Sequence, residues 1–313
     1  MRRKRQGTKR RAGGSPAFLV TLWAATAPLN GAVAATDLGV ESARIVSQHR
    51  AVFTKAPRGA HGFSTDAILL GNGDITMAIS STPLERDSKL KHQEPGKIRF
   101  WFTKNDLWRL GGRTSSKLFS VMDFEFKFDN KMEEPTFRAE TDLHTATTCG
   151  TISQEGGAVL KFKAWVSAVE NMMFIEFTTD GDAAIPWQAR TEVMRDESNW
   201  EMNGKEGEKT LYLRREFTDG TPPTGMSMCV KRFGTSGRRP EINRKSPQLV
   251  VFAADSLSKN PGYAGDVIKM IETFEPDSVA AKYEAHKKWW AEFWAKSFVE
   301  IPDKLIEQPR ESG

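Results

Sequence analysis

The chain has 313 residues, among them 45 basic and 40 acidic side chains, five histidines and two cysteines. Seven of the basic residues lie in the first eleven positions with no acid among them, so the chain beyond position 34 carries 38 basic against 40 acidic residues, a net charge of −2. That balance removes charge-driven binding to nucleic acid or another polyanion from the function classes. The histidines and cysteines are too scattered for ligand spacing, so no metal or other cofactor is expected.

Residues 1–34 have the three parts of an export signal. Arg2, Arg3, Lys4, Arg5, Lys9, Arg10 and Arg11 form a basic stretch, residues 17–29 an apolar run, and Ala32-Val33-Ala34 a small-x-small cleavage site. A membrane-spanning helix needs about 20 apolar residues. This run is shorter, so a cleaved signal and a secreted or periplasmic protein are predicted, with no stable membrane anchor. An oxidising compartment permits a disulfide between Cys149 and Cys229, but sequence separation alone leaves that pairing open.

Residues 35–260 are expected to form one β-sandwich domain. Ile98, Phe100 and Phe102 alternate with Arg99, Trp101 and Thr103. Phe124, Phe126 and Phe128 alternate with Glu125, Lys127 and Asp129, and Leu160, Phe162 and Ala164 with Lys161 and Lys163. A period of two puts one face of a strand on a core and the other toward water. Leu211–Leu213, Phe174–Phe177 and Leu249–Phe252 read as further strands, and Asp180-Gly181 and Asn203-Gly204 as turns between them. Many short strands without intervening helices predict a mainly β, antiparallel sandwich.

The pattern changes after Asp255, and residues 261–300 are expected to be linker helices. Val267, Ile268 and Ile271 mark a short one, and Pro276-Asp277-Ser278 the start of a longer one. In the longer helix Val279, Tyr283, His286, Trp290 and Phe293 follow four-three spacing, with Trp289 and Trp294 beside the stripe. So many aromatics need a broad apolar partner, and Trp289, Trp290, Phe293 and Trp294 are the expected domain interface.

Two motifs carry the candidate chemistry. Gly71-Asn72-Gly73-Asp74 reads either as a tight turn between strands or as a turn presenting Asn72 and Asp74 to a polar ligand. In Phe102-Thr103-Lys104-Asn105-Asp106-Leu107-Trp108, Trp108 either stacks on a sugar face beside Asn105 and Asp106 or folds back onto the core. No nucleophile elbow, phosphate-binding loop or zinc-protease motif occurs. Spacing identifies no carboxyl pair of the kind that glycoside hydrolysis requires.

These two motifs, with the closing His286-Lys287-Lys288-Trp289-Trp290-Ala291-Glu292-Phe293-Trp294 segment and Trp165-Val166-Ser167-Ala168-Val169-Glu170-Asn171-Met172 between them, resemble the N-terminal region of bacterial six-hairpin glycosidase-like proteins. That group is related to glycoside hydrolase families 95 and 65. The resemblance covers roughly residues 60 to 300, with its specific motifs at the two ends. It implies a β-supersandwich and a linker helix followed by an (α/α)6 barrel, which holds the catalytic general acid in these families. Residues 301–313 would then be the start of such a barrel or a tail, and no catalytic residue can be carried over. The resulting expectation is a non-catalytic sandwich portion of a secreted glycoside hydrolase-like protein, with carbohydrate and a missing or separate barrel as partners. The alternatives are a stand-alone exported carbohydrate-binding module and an exported structural protein.

Overall fold

The computed structural model describes residues 35–57, 67–80, 97–107, 120–126, 136–153, 157–192, 199–203, 209–218, 222–234, 240–296, 298 and 300. The leader at 1–34, Phe128, Trp108 and the tail at 301–313 lie outside the described residues.

A helix, α1 (Ala35–Val46), comes first, followed by β1 (Arg50–Phe53), β2 (Ile68–Gly71), β3 (Ile75–Ser80), β4 (Lys97–Lys104) and β5 (Ser120–Phe126). Next come β6 (Thr136–Asp142), β7 (Thr147–Ser153), β8 (Val159–Val166), β9 (Met172–Thr179) and β10 (Ile185–Glu192). The remaining strands are β11 (Asn199–Asn203), β12 (Thr210–Phe217), β13 (Thr224–Phe233), β14 (Glu241–Ile242) and β15 (Gln248–Ser256). The chain then turns helical through α2 (Tyr263–Glu272), a 3-10 turn at Pro276–Ser278, and α3 (Val279–Trp294).

The strands make two antiparallel sheets, and the protein is a mainly β sandwich. One sheet has the order β1-β6-β7-β8-β9-β15-β13-β12-β11, the other β14-β10-β5-β4-β3-β2. The alternating residues supply the space between them. Ile75, Met77, Phe100, Phe102, Phe124, Phe126 and Trp187 from the smaller sheet meet Phe162, Ile175, Phe177, Met228, Val250 and Phe252 from the larger. Rings pack edge to face or tilted, as at Phe100–Phe124 (5.4 Å, 83°) and Phe102–Phe252 (4.4 Å, 39°), the arrangements that ring quadrupoles favour.

Where the sequence is apolar without alternation, the sheet is covered on both faces. In β15, Val250 and Phe252 face the sandwich core, while Val251 and Ala253 face a second cluster with Trp165, Met172, Phe174 and Cys229. Val267 and Ile271 of α2, with Phe274, close that cluster. The result is three layers: small sheet, large sheet, helices.

α3 is fastened to the large sheet by polar contacts as well as aromatic ones. His286 is fully buried; its ring lies 5.1 Å from that of Trp165. Its Nε2–H donates to the Thr145 carbonyl at 2.8 Å, and its Nδ1 accepts from the Ala168 N–H at 3.2 Å. Trp294 Nε1 donates to the Leu143 carbonyl at 3.2 Å, and Lys282 holds Glu170 at 2.7 Å. Ala146, in the same β6–β7 turn as Leu143 and Thr145, takes a left-handed φ of +45°, uncommon for a residue with a Cβ.

One feature departs from the sequence reading, and another answers a pairing that it left open. The stretch after the leader opens as a helix, α1, which packs against α3, rather than as part of the sandwich. Cys149 on β7 and Cys229 on β13 are free thiols, the first exposed and the second buried. They are four strand positions apart in one sheet, roughly 19 Å at the usual strand spacing, and a disulfide needs Cα atoms within about 7 Å.

Candidate functional site

The Gly-Asn-Gly-Asp turn joins β2 to β3, and Gly73 adopts φ +87° there, a conformation glycine takes without steric penalty. Asn72 builds the turn from inside. Its Oδ1 accepts the backbone N–H groups of Asp74 (3.0 Å) and Ile75 (2.9 Å). Its Nδ2 donates outward to the Ser167 carbonyl at 2.9 Å, in the turn between β8 and β9. The turn of the small sheet is thereby stitched to the large one.

The second motif closes on the first. β4 pairs with β3 so that Lys104 lies opposite Ile75, which brings the strand end beside the turn. Asn105 donates from Nδ2 to the Gly73 carbonyl at 2.7 Å and from its backbone N–H to the Asp74 carbonyl at 2.8 Å. Lys104, whose side chain is fully buried, bridges two carboxylates: Asp74 Oδ1 at 2.5 Å and Asp106 Oδ1 at 3.0 Å. Asp74 also receives Asn171 Nδ2 at 2.6 Å and pairs with Lys259 at 2.7 Å. Asp106 Oδ2 accepts Ser256 Oγ at 2.6 Å and also the Ser258 hydroxyl.

Burial pushes the Asp74 carboxyl up, but the hydrogen bonds from Lys104, Lys259 and Asn171 outweigh it and hold the group below the usual carboxylate range. Asp106 behaves alike: burial opposes ionisation, and Ser256, Ser258 and Lys104 overcome it. Both groups therefore stay ionised near neutral pH, and neither is a proton donor there. A buried ammonium flanked by carboxylates has its charge compensated in place, the condition under which a buried charge is tolerated.

The structure thus brings Asn72, Asp74, Asn105 and Asp106 into one cluster and directs them at each other and at the β8–β9 turn and the end of β15. Sequence reasoning missed Lys104 as the hub, although Lys104 and Asp106 are two apart at a strand end and so share a face. It also missed Asn171, Ser256, Ser258 and Lys259, for which no local signal exists.

The aromatic helix divides its side chains. Tyr283, His286, Trp290 and Trp294 turn wholly or partly inward, and Tyr283 OH meets Thr147 Oγ1 at 3.2 Å. Trp289 and Phe293 stack on each other at 5.5 Å and 10° and stay 36% and 42% exposed. Among the described residues no group of three or more His, Cys, Asp or Glu is arranged to hold a metal ion, and no helix is long and apolar enough to cross a membrane.

No family model matches the sequence, and no curated protein matches it. A solved structure named "Putative kojibiose phosphorylase from human microbiome" aligns with 78% of this chain at a TM-score of 0.44 and 11% identity. The chain spans 38% of that protein's length.

Proposed function

We propose that this chain is a non-catalytic β-sandwich portion of an exported, carbohydrate-active protein, with α3 as the face on which a helical domain seats. The observation that carries the non-catalytic part is the Lys104 bridge. The two carboxylates nearest a family-like motif, Asp74 and Asp106, are both held ionised by one buried ammonium, so neither is positioned to protonate a leaving group. In this reading Asn72, Asp74, Asn105 and Asp106 lock the two sheets together rather than hold substrate.

The carbohydrate assignment rests on the resemblance of the two motifs and of the closing aromatic helix to six-hairpin glycosidase-like proteins. The docking assignment is supported by the exposed Trp289–Phe293 stack on a helix already anchored on its other side. Export follows from the leader, and neither nucleic acid nor a lasting membrane anchor belongs to the picture.

Affinity electrophoresis through gels holding soluble polysaccharides, paired with aryl-glycoside assays, tests the reading. Retardation by at least one polysaccharide without release of the aglycone is expected. Turnover that disappears in Asp106→Asn would overturn the non-catalytic assignment; mobility unchanged in every polysaccharide would overturn the carbohydrate one. Amino-terminal sequencing of the protein recovered outside the cytoplasm should begin at Ala35.

A further inference from the structure

On the large sheet's outer face a shallow cavity of about 460 Å³ crosses β6, β7, β8 and β9. Its walls are two cross-strand rows set by the register. One runs Glu140, Cys149, Lys163, Glu176; the other runs Arg138, Thr151, Lys161, Thr178. All eight line the cavity. In both rows the residue on β7 is small, whereas the neighbours on β6 and β8 are long and charged. A trough therefore runs along β7, floored by Cys149, Gly150 and Thr151.

The cations of the trough are engaged in ion pairs. Arg138 pairs with Glu140 at 2.5 Å, Lys163 with Glu176 at 3.3 Å, and Lys161 with Asp180. Each lining cation is already ion-paired, which weakens its hold on a phosphate or a polyanion. The charged walls disfavour an apolar ligand. A peptide cannot add as a strand here, because β7 is already paired on both sides. Paired side chains present hydrogen-bond donors and acceptors at fixed positions, and the alkyl stems of the lysines and Arg138 offer apolar surface between them. That combination suits C–H faces alternating with hydroxyls. Lys163 further caps the ring of Tyr283 from 3.5 Å, which ties one wall to α3. The volume lies within the range of small-ligand sites, about 300–1,000 Å³.

We propose that this trough is a binding site for a short neutral oligosaccharide, an inference that rests on the carbohydrate reading above and gives it a location. Cys149 reports on it directly, since its thiol is exposed on the floor while Cys229 is buried. The full chain is treated with a chromogenic disulfide reagent at pH 8.5, alone and with maltohexaose, cellohexaose, xylohexaose or a sulfated oligosaccharide. The same sugars are titrated by calorimetry into the unaltered protein and into Thr151→Trp, which fills the trough.

At least one neutral hexasaccharide should slow modification of Cys149 fivefold or more, saturably and equally in 0.5 M salt. Thr151→Trp should lose its heat of binding while keeping its urea midpoint and its protected Cys229. Calorimetric binding without protection of Cys149 would place the sugar elsewhere, overturning the trough and sparing the carbohydrate reading. Protection by the sulfated sugar alone would make the trough an anion site and overturn the proposal. Absence of both heat and protection for all four sugars would overturn trough and reading together.

Discussion

Asn171 Nδ2 donates to Asp74 Oδ2 at 2.6 Å, so the turn between β8 and β9 in the large sheet is tied to the turn between β2 and β3 in the small one. The two sheets are joined there by charge-assisted hydrogen bonds as well as by packing. Asn171→Ala should cost about 2 kcal/mol, the usual loss when a charged group gives up a partner. Asn171→Asp should cost more, because it sets a second carboxylate against the first. Urea unfolding at pH 7 measures both.

Lys104 is the more sensitive position. Lys104→Met leaves two half-buried carboxylates without their shared ammonium and should destabilise by about 3–5 kcal/mol. The triple variant Lys104→Met, Asp74→Asn, Asp106→Asn should recover much of that loss, since uncompensated charge is the cause. A single-variant loss below 1 kcal/mol in urea would contradict the hub role.

The depressed Asp74 and Asp106 carboxyls set the acid limb of stability. Their contribution is complete above the unfolded carboxylate value of about 3.9. It is lost as the pH falls from there through the folded values, because the unfolded chain takes up protons first. The urea midpoint should therefore drop as the pH is taken below about 4. The drop should be shallower in Asp74→Asn, Asp106→Asn.

His286 adds a second, milder dependence. Burial holds its folded value below 6.5, against the raising effect of the Thr145 carbonyl. Its stabilisation is full above the unfolded value of about 6.5 and fades as the pH falls through the folded one. His286→Phe should remove that slope and cost about 2 kcal/mol, because the Thr145 carbonyl and the Ala168 N–H lose their partner. Midpoints compared at pH 7.5 and 5.5 separate the two effects.

The exposed aromatic stack should behave unlike the buried one. Trp289→Ser with Phe293→Ser should change stability by about 1 kcal/mol or less while lowering binding of a hydrophobic dye. Trp165→Ala, in the cluster beneath α3, should cost about 3–5 kcal/mol. Equal losses at the two sites would show that the stack is part of the core.

Period-two segments such as Ile98–Phe102 and Leu160–Ala164 were legible because one face of each strand meets the core. Phe174–Phe177 and Leu249–Phe252 were legible as strands, but their missing alternation reflects the helix layer on the sheet's far side. The stripe of α3 was read with a seven-residue repeat. A straight helix drifts about 20° per heptad from that repeat. By the second heptad Phe293 has therefore rotated toward solvent, and Trp294 takes up the inward contact with Leu143. α1 is short and carries a glycine, and it packs against α3. In the candidate site the turn at Asn72 was visible from Asn-Gly. The convergence of Lys104, Asn171 and Ser256 was not, since these residues are up to 152 positions apart and meet only through sheet pairing.

The place of β15 has a consequence for how the molecule comes to be made. Among the described residues it is the last strand, yet it lies between β9 and β13 in the interior of the large sheet. Until residues 248–256 have emerged, β9 and β13 each present an unpaired apolar edge, a template for pairing with other chains. Long-range closure of this kind is slow. Fragments ending before Gln248 should therefore aggregate rather than fold.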